Sequence, residues 1–265
     1  MKQSIARLLA RFRTSVRPPL PPDEESVSAM IARIRAAHLS YCGFPKMENI
    51  AECMLDIRRR GVPGSILEAG VALGGSAILL GWLKPPGVPL DLFDVFGMIP
   101  PPGERDGDDA HRRYQEIRSG NSAGLGGKTY YGYVDDLLEV VKGNLRGFGL
   151  DVDGGDVRFH PGLFEDTLHP AGPVALAHID CDWYDSVQVC IRRIAPRLSV
   201  GGAIIFDDYS SYSGCRRAVD EWLAAAPEME DLRAPLAGRP PAFVTMHQRL
   251  RLACGVATLL PGRAE

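Results

Sequence analysis

The chain has 265 residues with 30 basic and 33 acidic side chains, 45% apolar and 24% charged, the balance of a soluble globular protein long enough to bury a sizeable core. No run approaches the roughly 20 uninterrupted apolar residues of a membrane span, which excludes an integral membrane protein. The net charge of −3 argues against a protein built around nucleic acid.

The charge is unevenly spread. Residues 1–22 carry Lys2, Arg7, Arg11, Arg13 and Arg17 and no acid, which leaves 25 basic against 33 acidic groups, a net −8, in the remainder. Arginines interrupt any apolar run there, so a secretory signal does not fit. The favoured reading is a short accessory helix at Ile5–Phe12, ended by Pro18, Pro19, Pro21 and Pro22. The alternative is an organellar transit peptide. The six cysteines (Cys42, Cys53, Cys181, Cys190, Cys215 and Cys254) form no CxxC pair, so reduced thiols in a cytoplasmic protein are expected.

Beyond the prolines, Glu24–Leu39 and Met47–Arg60 read as helices, the second with Ile50, Met54, Leu55 and Ile57 on one stripe. Residues 65–70 then read as a short buried strand, followed by an apolar helix at Ser76–Leu83 and a second strand at Pro89–Asp94. A polar insertion follows, bracketed by Pro100–Gly103 and Gly124–Gly127, of the kind that forms a mobile lid or binding loop. Further strands fall at Val157–His160, Val174–Ile179 and Ala203–Phe206, with helices at Val134–Phe148, Ser186–Arg197 and Cys215–Ala225. Apolar strands alternating with helices imply an α/β fold with a parallel sheet covered on both faces. Pro241–Met246 and Leu250–Leu260 read as a C-terminal antiparallel hairpin. The expected organisation is a leader, linker and accessory helices over residues 1–60, then one main domain over 61–265.

Four groups of residues carry chemistry. Glu68-Ala-Gly70-Val-Ala-Leu-Gly74-Gly75-Ser76 stands at a strand-to-helix turn, where glycines let backbone approach a ligand closely. Its pattern is ExGxxxGG rather than the dinucleotide GxGxxG. An acid ending the first strand repels a pyrophosphate and suits a cationic amino or sulfonium group. Asp94 ends the next strand, 20 positions after Gly74, where a carboxylate can accept from a ribose diol; Asp91 is the alternative. His178-Ile-Asp180-Cys-Asp182-Trp-Tyr-Asp185 and Asp207-Asp208 end the later strands, on the rim where open α/β sheets bind ligands. Carboxylates crowded there repel one another unless a cation or a raised pKa relieves them, and oxygen ligands point to Mg²⁺ or Mn²⁺. Asp185 reads as a helix cap, and His178 as a hydrogen-bonded core group.

These motifs resemble the macrocin/novobiocin-type O-methyltransferases of bacterial natural-product pathways. The likeness runs from about Cys53 to Trp222. It rests on ExGVxxGGS at Glu68–Ser76, FDxFxxxP at Phe93–Pro100, GxFxDTL at Gly162–Leu168, HIDxDxYDS at His178–Ser186 and PRLSxGGxIxFDDY at Pro196–Tyr209. The resemblance implies a class I, Rossmann-like methyltransferase fold and dependence on S-adenosylmethionine and Mg²⁺ or Mn²⁺. It implies Asp180, Asp207 and Asp208 as metal ligands and Asp182 as general base. The cofactor-binding set it implies is Glu68, Gly70, Gly74, Ser76, Asp94, Phe164, Glu165 and Asp180. The partner is then a small hydroxylated acceptor, a sugar or phenol, with no nucleic acid, and the chain is expected as a homo-oligomer, a dimer.

Rival readings are weaker. An aspartyl-phosphate phosphohydrolase wants its DxD near the chain start, followed by Thr or Val, whereas Trp183 follows here. A DxD glycosyltransferase does not need ExGxxxGG upstream. A short-chain reductase needs YxxxK, and no tyrosine here has Lys four residues on. A non-catalytic binding protein on a methyltransferase scaffold has no reason to keep four acids at two strand ends.

Overall fold

The computed structural model describes residues 22–225 and the backbone of Gln248–Arg251. The helix expected at Ile5–Phe12 and the strand expected at Pro241–Met246 lie outside the described residues. Helix α1 spans Glu24–Ala36; the Asp23 side chain accepts from the Ser26 N–H, with Glu24 and Glu25 in the first turn and Arg33 and Arg35 in the last. Both charge placements complement the helix dipole. Helix α2 spans Phe44–Arg60, earlier than its apolar stripe suggests, because Pro45 fits the first turn and Gly61, at φ +62°, closes the end.

The sheet is built from β1 (Ser65–Ala69), β2 (Leu90–Asp94), β3 (Val157–Pro161), β4 (Val174–Ile179), β5 (Leu198–Phe206) and β6 (Gln248–Arg251). Its order is β3-β2-β1-β4-β5-β6. The first five strands run parallel, and β6 pairs antiparallel with β5, Ile204 opposite Leu250. β6 takes in part of the connection expected between the hairpin strands and only Leu250 and Arg251 of the second strand expected at Leu250–Leu260; the rest of that hairpin lies outside the described residues. β4 is buried throughout, as a strand covered on both faces must be.

Helices α3 (Gly75–Leu83), α5 (Leu137–Gly147), α6 (Tyr184–Ile194) and α7 (Ser213–Ala225) connect these strands. The insertion after β2 departs from expectation. It folds into a helix, α4 (Asp108–Arg118), whose Asp109 carboxylate accepts from both the backbone N–H and the hydroxyl of Ser213 at 2.7 Å. The sequence hid it because only Ala110 and Ile117 are buried, too few to make an apolar stripe.

Two hydrophobic clusters sandwich the sheet. One joins Ile31 and Ile34 of α1 and Met47, Ile50 and Met54 of α2 to Ile78 and Leu80 of α3 and Leu145 of α5. The other joins Leu67, Ile179 and Phe206 to Val187, Ile191 and Ile194 of α6 and to Val219 of α7. Leu80 is fully buried, so Leu80→Ala is expected to cost about 3 kcal/mol through lost burial and a residual cavity, read as a lowered urea midpoint at unchanged slope.

Candidate active site at the strand ends

Strand order reverses between β1 and β4, the place where open α/β sheets leave a crevice. Register sets what meets there: Glu68 stands opposite His178 and Ala69 opposite Ile179. The ladder continues past the strand ends, because the Asp180 N–H donates to the Ala69 carbonyl at 2.8 Å and the Asp207 N–H to the Ile179 carbonyl at 2.9 Å. Gly70, Asp180 and Asp207 therefore lie side by side on one rim. Gly70 has φ +92°, and a Cβ there would overlap the Asp180 carbonyl oxygen, so this close approach admits only glycine.

A cavity of about 310 Å³ opens at this rim, within the usual range for small-molecule sites. Gly70, Asp94, Phe164, Glu165, Asp180 and Asp182 line it. Of the expected cofactor residues, Glu68, Gly74 and Ser76 do not. Glu68 is fully buried within β1 and accepts from His178 Nδ1 at 2.8 Å, so His178 is the hydrogen-bonded core group expected of it. Gly74, at φ +86°, caps α3 and packs against Leu145 and Val141.

Asp94 lines the cavity and also ties the glycine turn. Oδ2 accepts the Val71 N–H at 2.6 Å and the Ala72 N–H at 3.2 Å, while Oδ1 accepts the Phe96 N–H at 2.7 Å. Burial raises its pKa against these amides, which favour the carboxylate. Asp94→Ala strands three backbone donors and is expected to cost about 2 kcal/mol, measured by thermal or urea unfolding.

The acids separate into two groups. Oxygens of Asp180, Asp182 and Asp208 lie within 4.8 Å of one another, and Asp208 Oδ2 is buried with no hydrogen-bond partner. Withdrawal from water, and then the charges of Asp207 and Asp208, push Asp180 well above the usual carboxylate range; burial and Asp208 do the same for Asp182. Asp207, one residue before Asp208, turns the other way. Its Oδ2 accepts from Lys46 Nζ at 2.5 Å, and its Oδ1 lies 3.7 Å from His178 Nε2. Burial opposes ionisation of Asp207, yet His178 and Lys46 hold its pKa below the normal range. An oxygen-only cluster with an unpartnered buried oxygen has the donor chemistry that Mg²⁺ or Mn²⁺ takes.

Asp182 has a second distinction. Its φ is +60°, uncommon for a residue with a side chain and the sort of local strain that persists where the surroundings impose it. Burial and the Asp182 charge both raise the pKa values of Tyr130, Tyr131 and Tyr212, which places a tyrosine wall beside this carboxylate. Tyr130 and Tyr131 have ring centroids 4.4 Å apart, and Tyr41 meets Tyr131 at 5.6 Å. Trp183 donates from Nε1 to the Pro100 carbonyl at 2.9 Å and meets Tyr212 edge-on at 5.2 Å.

Sequence reasoning missed Lys46 and these tyrosines, for no motif marks them. Asp185, expected as a helix cap, instead pairs with Arg105 Nη2 at 2.6 Å; Asp106 accepts the Tyr184 N–H at the start of α6. His169 and His111 lie elsewhere, His169 Nδ1 being 3.0 Å from Arg193 and His111 beside Asp108 and Arg112.

The sheet order, the glycine turn after β1 and the acids ending β4 and β5 define a class I, Rossmann-like methyltransferase fold. The family model described as Macrocin-O-methyltransferase (TylF) matches residues 32–237, and the chain belongs to that family. It is 34% identical over 189 residues to demethyldecarbamoylnovobiocin O-methyltransferase of Streptomyces niveus, covering 69% of this chain and 66% of the relative. It is 33% identical over 186 residues to an 8-demethyl-8-(2,3-dimethoxy-alpha-L-rhamnosyl)-tetracenomycin-C 4'-O-methyltransferase of Streptomyces olivaceus, covering 68% and 66% respectively. The chain thus spans slightly under two thirds of each of these relatives. Among solved structures, the O-methyltransferase NovP aligns with TM-score 0.59 and 30% identity over 71% of this chain and 75% of that one.

Proposed function

We propose that this protein transfers a methyl group from S-adenosylmethionine to a hydroxyl of a ring-bearing small molecule in natural-product biosynthesis, with Mg²⁺ or Mn²⁺ bound at the rim. One observation carries the reading: a cavity lined by Gly70, Asp94 and Phe164 ends at crowded carboxylates beneath an aromatic wall. Family membership and the O-methyltransferase names of its relatives support it. Gly70, Asp94, Phe164, Glu165 and Asp180 border the methyl donor in this reading, and Glu68 and Gly74 shape the turn from behind.

Asp180 and Asp208 would hold the metal, with Asp207 as third ligand once its carboxylate turns from Lys46, and the bound ion would lower the pKa of the acceptor hydroxyl. Asp182 takes the hydroxyl proton at its carboxylate. It suits that task because it faces the cavity, whereas Asp207 and Asp208 do not line it. Tyr131 and Trp183, which line the cavity, wall the acceptor ring and exclude water, with Tyr130 and Tyr212 packed against them. Holding oxygen and methyl at near-attack distance supplies much of the acceleration.

Among the described residues Cys42, Cys53, Cys181, Cys190 and Cys215 form no disulfide, which accords with a cytoplasmic enzyme. Among the described residues no helix is long and apolar enough to cross a membrane. A homodimer is the proposed assembly, checked by sedimentation equilibrium. Incubating the full chain with labelled methyl donor, Mg²⁺ and a panel of glycosylated and phenolic acceptors is expected to add one labelled methyl to at least one of them. EDTA is expected to abolish that transfer. Label incorporation that EDTA leaves unchanged contradicts the metal assignment.

A further inference from the structure

A second group of donors adjoins the oxygen cluster, and it has different chemistry. Cys42 Sγ, His178 Nε2 and an oxygen of Asp207 all lie within 4.8 Å of one another, on three buried residues. We propose that Cys42, His178 and Asp207 form a zinc-selective site whose occupation keeps Asp207 turned toward His178, so that Zn²⁺ antagonises the Mg²⁺ site.

Three observations carry this. His178 is fully buried and its Nε2 has no hydrogen-bond partner, while Glu68 Oε1 engages Nδ1 at 2.8 Å. A carboxylate on one imidazole nitrogen fixes the ring and its tautomer with the other nitrogen aimed at the metal, the usual support of a ligating histidine.

The spacings also suit a tetrahedral ion. Asp207 Oδ1 is 3.7 Å from His178 Nε2, and Cys42 Sγ is 3.9 Å from Asp207 Oδ2 and 3.8 Å from Asp180 Oδ2. Zinc bonds to sulfur, nitrogen and oxygen imply ligand separations of roughly 3.3–3.7 Å, so shifts of up to about an ångström within the 4.8 Å bound close the set, with Asp180 in reach as a fourth ligand. Lys46 keeps its contact with Oδ2 while Oδ1 faces the imidazole.

The donor set itself selects the ion. Thiolate plus imidazole favours Zn²⁺ or Co²⁺, whereas the neighbouring oxygen-only group favours Mg²⁺. Asp180 lines the cavity and gives an arriving ion a route inward. The Cys42 N–H donates to Ser40 Oγ at 3.1 Å, which fixes the turn that presents the thiol. On binding, the thiol proton and any proton on Nε2 pass to solvent.

The test does not depend on the methyl-transfer reading. Metal-stripped full-length protein is titrated with Co²⁺, with no added thiol. A saturating thiolate-to-cobalt charge-transfer band in the near ultraviolet is expected, with the strong visible bands of a four-coordinate ion. Equimolar Zn²⁺ should bleach it, and excess Mg²⁺ should raise the Co²⁺ concentration needed for saturation, because antagonism between two sites is reciprocal. Cys42→Ser should lose the band, and Glu68→Gln should weaken Zn²⁺ affinity about tenfold or more. X-ray absorption at the zinc edge of the wild-type chain should show one sulfur among nitrogen and oxygen neighbours. Absence of the band, its persistence in a folded Cys42→Ser variant, a Co²⁺ affinity indifferent to Mg²⁺, or a zinc shell with no sulfur or several sulfurs would overturn the proposal.

Discussion

Asp182→Asn is expected to lower kcat for methyl transfer by about a hundred- to ten-thousand-fold, the range typical of losing a general base. Affinity for S-adenosylmethionine should stay within about twofold of wild type, because the amide keeps the shape of the side chain. The substitution is a clean one at this position. Asn adopts positive φ more readily than most residues, so the +60° backbone survives and only the proton-accepting oxygen changes character. A structural role alone predicts a loss of stability with kcat preserved. Near-normal kcat in a folded variant contradicts the assignment of Asp182 as the base.

Gly70→Ala is expected to cost about 4 kcal/mol, combining about 1–2 kcal/mol for a side chain at positive φ with overpacking of about 1–3 kcal/mol. Its φ of +92° forbids an easy side chain, and the new methyl would press on the Asp180 carbonyl oxygen. Relief would have to come from moving the end of β4, which carries Asp180 and Asp182. Loss of cofactor binding should therefore accompany the fall in unfolding midpoint. An unfolding free energy within about 1 kcal/mol of wild type would show that the strand end can give way, and that the close contact does not constrain the site.

Much of this arrangement was legible in the sequence. Apolar runs ending in acids, such as Val174–Ile179 before Asp180 and Ala203–Phe206 before Asp207, mark buried strands and place their carboxylates on one rim. What the pattern does not carry is direction. Asp207 and Asp208 follow β5 in a turn and part company there, one toward Lys46 and His178, the other toward Asp180 and Asp182. Glu68 and Gly70 are two apart and read as neighbours on one face; but Gly70 leaves extended geometry at φ +92° and lines the cavity, while Glu68 stays in the sheet against His178. Lys46 and Tyr130 come from segments distant in sequence from the acids they serve, and only tertiary packing joins them. Helix α4 escaped because tertiary contacts such as Asp109 to Ser213, not an apolar stripe, settle it on the domain.

The central claim is that the β1–β4 crevice is a methyl-donor site. Calorimetric titration of the full chain with S-adenosylmethionine, in Mg²⁺-containing buffer, tests it most directly. Saturable binding at one site per chain, lost in a folded Gly70→Ala variant and retained in Asp182→Asn, is the predicted result. Absence of binding to the wild-type chain, or binding that Gly70→Ala leaves unchanged, would contradict it.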